Sequence, residues 1–100
     1  MKKNELIKQL STEEKISERK AKTLVEAVFD IVSKALIKGE KVKISGFGTF
    51  LVVKRKGREI VNPQTKKKMK IQDYYIPHFR VGEPLKQKVR EGMETKENLN

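Results

Sequence analysis

KRKGREIVNPQTKKKMK, residues 54 to 70, decides how the rest of the chain must be arranged. Eight of its residues are basic (Lys54, Arg55, Lys56, Arg58, Lys66, Lys67, Lys68 and Lys70) and one, Glu59, is acidic, so eight less one leaves +7 of the chain's +11 here. Charge at that density must face solvent or an anion. Asn62-Pro63-Gln64-Thr65 is turn chemistry, because asparagine tolerates left-handed φ and proline fixes its own φ. Extended segments flank it, Phe50-Leu51-Val52-Val53 before and Met69-Lys70-Ile71 through Tyr74-Tyr75-Ile76 after. The stretch therefore predicts a long two-stranded ribbon, apolar at its base and basic over its outer half. An isolated ribbon is marginal in water, so the outer half is expected to be mobile until a ligand holds it. Pairing Val61 with Lys66 across the tip puts Arg55, Lys66, Lys68 and Lys70 on one face and Lys54, Lys56, Arg58 and Lys67 on the other. Two cationic faces suit an object lying in a groove between phosphate walls. Gly57 is read as the site of a bulge.

One hundred residues suit one domain. Without the outer ribbon and a polar C-terminal tail, roughly seventy residues remain, and a body that small buries little surface by itself. Oligomerisation is the expected remedy. There is no cysteine, which excludes a disulfide framework, a thiolate nucleophile and a cysteine-ligated metal, and is compatible with a reducing compartment. No apolar run reaches membrane-spanning length, and Met1-Lys2-Lys3-Asn4-Glu5 leads into no signal-like segment. The chain is expected to be soluble and cytoplasmic, with no membrane partner. A charge of +11 and a pI near 10.0 point to a polyanion, nucleic acid before anionic lipid, since no basic amphipathic helix is present.

The remaining chain supplies a body. Leu6, Ile7 and Leu10 recur at helical spacing in a short amphipathic helix over about Lys3 to Glu13, with Asn4 or the residue before it as cap. Ser11-Thr12-Glu13-Glu14 is read as the end of that helix fraying into a turn, and Ile16 as the one apolar anchor there. Ser17 caps a longer helix that Gly39 ends. Its apolar residues, Ala21, Leu24, Val25, Val28, Phe29, Ile31, Val32, Ala35 and Leu36, make a stripe too broad for one contact face. Either this is an ordinary central core helix, or one side packs on its own sheet and the other on a second subunit; the small body favours the second. Lys41-Val42-Lys43-Ile44 alternates as a short strand, and Ser45-Gly46-Phe47-Gly48 turns it sharply. That Gly-x-Gly lacks the third glycine and following helix of a nucleotide-binding loop, although its amides could meet a phosphate in a larger interface. Pro77 to Gly82 is read as a loop that packs Phe79 and opens a last helix with Glu83 and Pro84 in its first turn, Leu85 and Val89 forming its apolar edge. From Glu91 the chain turns polar, and Lys96 to Asn100 is expected to be disordered.

Nothing in this pattern assembles a catalytic or metal-binding constellation. His78, the one histidine, stands between Pro77 and Phe79, where a structural role fits best. Asp30 lies on the long helix, and Asp73 lies among ribbon lysines, where an ion pair explains it. A Mg²⁺-dependent nuclease would want clustered carboxylates, and these are scattered. No base or charge partner is evident to activate Tyr74 or Tyr75.

Ser45-Gly46-Phe47-Gly48-Thr49-Phe50, then thirteen residues between Gly48 and Asn62-Pro63-Gln64-Thr65, resembles the HU and integration host factor family of histone-like DNA-bending proteins. Glu26-Ala27-Val28-Phe29, Phe79-Arg80, Gly82 and Leu85-Lys86 extend the match over residues 1 to 90, an arm at about 54 to 73 included; residues 91 to 100 lie outside it as a tail. The resemblance implies an α+β fold: a helical base and a three-stranded antiparallel sheet extended into a β-arm, in an intertwined dimer. Homodimer and heterodimer are both open. It implies a non-catalytic protein, without cofactor, metal or small-molecule substrate, that wraps double-stranded DNA through the minor groove, bends it and organises the nucleoid. Pro63 would be the intercalating wedge, apolar, rigid and without an N–H to lose a partner between bases. Unstacking costs a few kcal/mol per step, a figure that comes from minor-groove benders of this same family. By the same resemblance Arg55 and Arg58 meet backbone and groove, with Lys66, Lys68 and Lys70 beside them, and Lys3, Gly46, Arg80 and Lys86 meet phosphates on the body.

Departures from the family pattern locate where this chain differs. Ile60-Val61 replaces a usual Gly-Arg before Asn-Pro, removing a guanidinium near the wedge, and Lys66-Lys67-Lys68 restores charge without arginine's planar fork. Lys66 replaces a usual glycine, which is strained if the backbone there is left-handed. Glu83 stands where a basic residue is common, and Val81 where proline is. A general HU-like packager and a site-preferring integration host factor-like bender both remain open, with Val42-Lys43-Ile44-Ser45-Gly46 and the tail leaning to the latter. A basic RNA-binding or ribosome-associated protein fits the charge equally well but gives Pro63 no task.

Overall fold

Ser17 starts the long helix as its position predicts: its side-chain oxygen accepts the Lys20 N–H at 3.1 Å, and Glu18 sits in the positive first turn. A computed structural model describes residues 1–98. In it α1 spans Lys3–Glu14, α2 Glu18–Ile37, β1 Val42–Ile44, β2 Gly48–Arg55, β3 Arg58–Val61, β4 Lys68–Ile71, β5 Tyr74–Val81 and α3 Glu83–Asn98. The fold is α+β, two helices leading into an antiparallel sheet and a third closing the chain.

Four local expectations need correction. Helix α1 is capped at Lys2, with no side-chain cap bond, and not by Asn4 or Lys3. It does not fray at Ser11: it continues through Glu14 and stops because Lys15 turns left-handed (φ 54°), with the Ser11 hydroxyl donating to the Ile16 carbonyl at 2.6 Å. Pro77 to Val81 is strand and not loop; β5 is an edge strand of the sheet order β1-β2-β5, where a missing N–H is tolerated. Helix α3 runs on through Asn98, so residues 91–98 continue a helix, and the disorder expected from Lys96 does not hold as far as Asn98. Leu99 and Asn100, which fall in the same expectation, lie outside the described residues.

The buried apolar side chains of the described chain are only Ile7, Ala21, Val25 and Leu51. Three of them pack where α1 crosses α2, with Leu10 and Ile16 against them; Leu51 lies on β2, which α2 touches. Of the rest of the broad stripe on α2, Leu24, Val28, Phe29 and Ile31 are exposed, while Val32, Ala35 and Leu36 are half-buried. The radius of gyration, 19.8 Å, is well above the ~13 Å of a compact domain of this length, because the ribbon projects.

Both ladders of the ribbon are antiparallel. Arg55 faces Tyr74 at the end of the first, and Arg58 faces Ile71 at the start of the second, so each strand advances by three residues across the gap. The register is therefore unbroken, and the bulge expected at Gly57 is not there. Glycine is needed for a different reason: a Cβ at Gly57 would overlap the Ile71 carbonyl oxygen and stand 2.7 Å from the Gln72 carbonyl carbon.

Candidate nucleic-acid interface

At the arm tip the chain reverses over a longer loop than Val61 opposite Lys66 would need. Val61 faces Lys68, the Asn62 N–H donates to the Lys67 carbonyl at 3.0 Å, and the Lys66 N–H donates to the Asn62 carbonyl at 2.7 Å. Asn62 also accepts the Gln64 N–H on Oδ1 at 2.9 Å, the asparagine turn that its chemistry favours. Pro63 takes part in none of these bonds through its ring and stands exposed at the apex.

Closing that loop requires left-handed backbone at Lys66, whose φ is 57°. A lysine there is strained by about 1–2 kcal/mol, of which part returns on substitution because glycine is more disordered when unfolded. Lys66→Gly is thus expected to order the tip. Amide exchange at Asn62 and Lys67 should slow about two- to threefold, read by NMR, even though one cation is lost.

The two-residue correction of the register preserves parity, so Lys68 and Lys70 still share a face, with Glu59 and Val61 opposite them. Arg58 lies on the other face with Ile60, Met69 and Ile71. Within the outer ladder that face is apolar around one guanidinium; by the unbroken register Lys54 and Lys56 lie on the same side nearer the body, so of the second cationic face expected only Lys67 is displaced. Lys66 and Lys67 belong to the turn and to neither face.

Electrostatically the arm is unsatisfied. Lys54 lies 3.7 Å from Asp73, the ion pair its surroundings predicted, and among the described residues no other basic side chain of residues 54 to 70 has a carboxylate within 4.0 Å. On the body, Gly46 (φ 80°) shapes the turn that the Phe47 N–H closes onto the Ile44 carbonyl at 3.0 Å. Arg80, on β5 opposite Thr49, is exposed and also unpaired among the described residues. Phe79 beside it packs at a tilt against Phe47 and Phe50, at 5.3 and 4.8 Å between ring centres, and a Cβ on Gly48 would stand 2.5 Å from the Phe79 ring. This close packing, with the Gly82 N–H on the Phe47 carbonyl at 2.9 Å, fixes where Gly46 and Arg80 sit relative to the start of α3. Lys3 and Lys86 differ, being tied to Glu26 at 3.5 Å and Glu83 at 3.9 Å.

Among the described residues no group of three or more His, Asp or Glu is placed to hold a metal ion. His78 is exposed on β5, and Asp30 is spent on Lys34 at 2.8 Å, holding that ammonium above its usual pKa through the hydrogen bond first and charge second. No helix among the described residues is long and apolar enough to cross a membrane.

A cationic arm with almost no internal counter-charge, raised from a small helical base, defines a protein built to hold a polyanion. The family model "Bacterial DNA-binding protein" matches residues 1–90. DNA-binding protein HU of Thermotoga maritima is 39% identical over 90 residues, covering 90% of this chain and 100% of that protein, and HU of Geobacillus stearothermophilus is 41% identical with the same coverage. In an Anabaena HU–DNA cocrystal structure the matching chain is 32% identical with a TM-score of 0.83, over 89% of this chain and 97% of that one. A solution structure of a mutant of transcription factor 1 aligns over 100% of both chains at 28% identity and a TM-score of 0.64. The chain belongs to the HU family of bacterial DNA-binding proteins.

Proposed function

We propose that this chain works as a dimer whose two arms enter the minor groove of double-stranded DNA, with Pro63 as the wedge that bends it, and that it organises the nucleoid of the cytoplasm. The observation that carries this reading is the arm's lack of counter-charge. Seven of its eight basic side chains have no carboxylate within 4.0 Å among the described residues, so phosphate can be taken up without first breaking an ion pair. Arg55 and Arg58, followed by Lys66, Lys68 and Lys70, supply the arm's phosphate contacts; Gly46 and Arg80 supply them on the body. Lys3 and Lys86 exchange an exposed carboxylate for a phosphate, which costs little because exposed pairs are weak. Sequence preference then comes mainly from how easily a duplex deforms, and no recognition helix for the major groove is needed.

Arg55→Ala combined with Arg58→Ala tests the phosphate term. Affinity for a short duplex should fall by about tenfold or more at physiological salt, and the slope of log K against log salt should flatten by about two, as two contacts are lost. An unchanged slope would remove the arm from the binding surface. Competition with duplex RNA belongs in the same experiment, and preference for RNA would overturn the DNA reading.

A further inference from the structure

Where the two ladders of the arm meet, Lys56 and Gly57 on one strand and Gln72 and Asp73 on the other leave the pairing. Four unpaired residues ought to make a free hinge. One side chain spans the gap instead. Asp73 accepts the Gly57 N–H on Oδ1 at 2.8 Å, and its Oδ2 lies 3.7 Å from Lys54 Nζ. Lys54 in turn stands 5.9 Å from the centre of the Tyr75 ring. A backbone N–H and an ammonium are the groups that hold a phosphate, and here a carboxylate of the chain itself occupies them. Glu59, the other acid of the arm, has no cation within 4.0 Å among the described residues.

We propose that Asp73 is a positioning residue whose carboxylate latches the outer arm to the body, so that the DNA-free protein presents the arm as a direct continuation of β2 and β5. The function of the latch rests on the reading of the arm as the DNA-holding element. An arm swinging at an open hinge would have to be arrested on binding, and that lost freedom weakens association; a latched arm has little to lose. Both contacts are solvent-exposed, so the latch is shallow, and a duplex phosphate can take Lys54 from the carboxylate once the DNA is seated.

Three variants test this. In the free protein, Asp73→Ala should lower the ¹⁵N order parameters of residues 58 to 71 to below about 0.6, with those of β2 and β5 unchanged. Asp73→Asn retains an acceptor for the Gly57 N–H and should keep most of that order. Duplex binding supplies the contrast a merely electrostatic role could not produce. Asp73→Ala and Glu59→Gln each remove one negative charge, so charge alone predicts that both bind more tightly. The latch predicts that Asp73→Ala binds about threefold more weakly, the scale of one exposed hydrogen bond, while Glu59→Gln binds more tightly. Arms equally ordered in the wild-type and Asp73→Ala proteins, or tighter binding by Asp73→Ala, would overturn the proposal. Failure of the wild-type protein to bind duplex would instead sink the DNA reading, and the order parameters would still decide the latch.

Discussion

Phe29→Glu is expected to leave the chain unfolded at micromolar concentration. In one copy of the chain Phe29 is 54% exposed, beside Leu24 at 45%, Val28 at 56% and Ile31 at 66% on the same helix. Were that surface wet, a glutamate would be harmless there, since an exposed charge on a helix costs almost nothing. The protomer's interior argues otherwise, because four buried apolar side chains cannot offset the conformational entropy of a hundred residues. If a second copy covers α2, each glutamate becomes a buried unpaired charge costing about 3–5 kcal/mol, and symmetry places one in each half. Two such costs approach the whole stability of a small domain, about 5–15 kcal/mol. Sedimentation and far-UV circular dichroism over a range of concentrations check this. The wild-type protein should sediment as a dimer, with a melting temperature that rises with concentration. A folded, monomeric Phe29→Glu protein of wild-type helicity would show that the exposed stripe needs no partner.

What could be read in the sequence was what local chemistry dictates. Ser17 and Gly39 delimit α2 because capping and left-handed backbone are properties of single residues, and Gly39 indeed has φ 78°. The ribbon followed from turn residues between extended flanks. The tip register did not, because the backbone bonds of Asn62 with Lys66 and Lys67 that lengthen the loop leave no mark in residue type, although the family's usual glycine at position 66 did point to the left-handed backbone found there. Residues 91–98 looked like a tail because they are polar, yet glutamate, lysine and methionine are good helix formers, and polarity alone does not end a helix. That Asp73 would pair with a ribbon lysine was legible from opposite charges in proximity; that the lysine is Lys54 was not. The bond of Asp73 to the Gly57 N–H was not either, because it joins residues sixteen apart that only the continuous register brings together. The apolar neighbours of Arg58 needed no exact register, because either pairing puts Ile60, Met69 and Ile71 on its side; what the sequence misplaced there was Lys67, which belongs to the turn.

Pro63→Ala should separate bending from binding. Every hydrogen bond that shapes the tip is made by Asn62, Gln64, Thr65, Lys66 and Lys67, so losing the ring leaves the loop intact. All eight arm cations remain, and at low salt these dominate affinity, so the dissociation constant should change by no more than about threefold. The bend should respond very differently. Opening a base step costs a few kcal/mol, the figure from benders of this family, and a methyl group is too small to fill the gap that the proline ring would occupy. With the wedge absent the duplex has no reason to stay unstacked. Energy transfer between dyes on the two ends of a saturated duplex should fall most of the way towards that of free DNA. Equal transfer for the wild-type and Pro63→Ala complexes would take the wedge out of the mechanism, leaving charge neutralisation on the inner side of the curve as the remaining source of bending. The two sources respond oppositely to salt. A wedge sets the geometry of each complex that forms, so the bend at saturation should stay constant as salt rises, whereas a bend driven by neutralised phosphates should relax along with the counterion atmosphere.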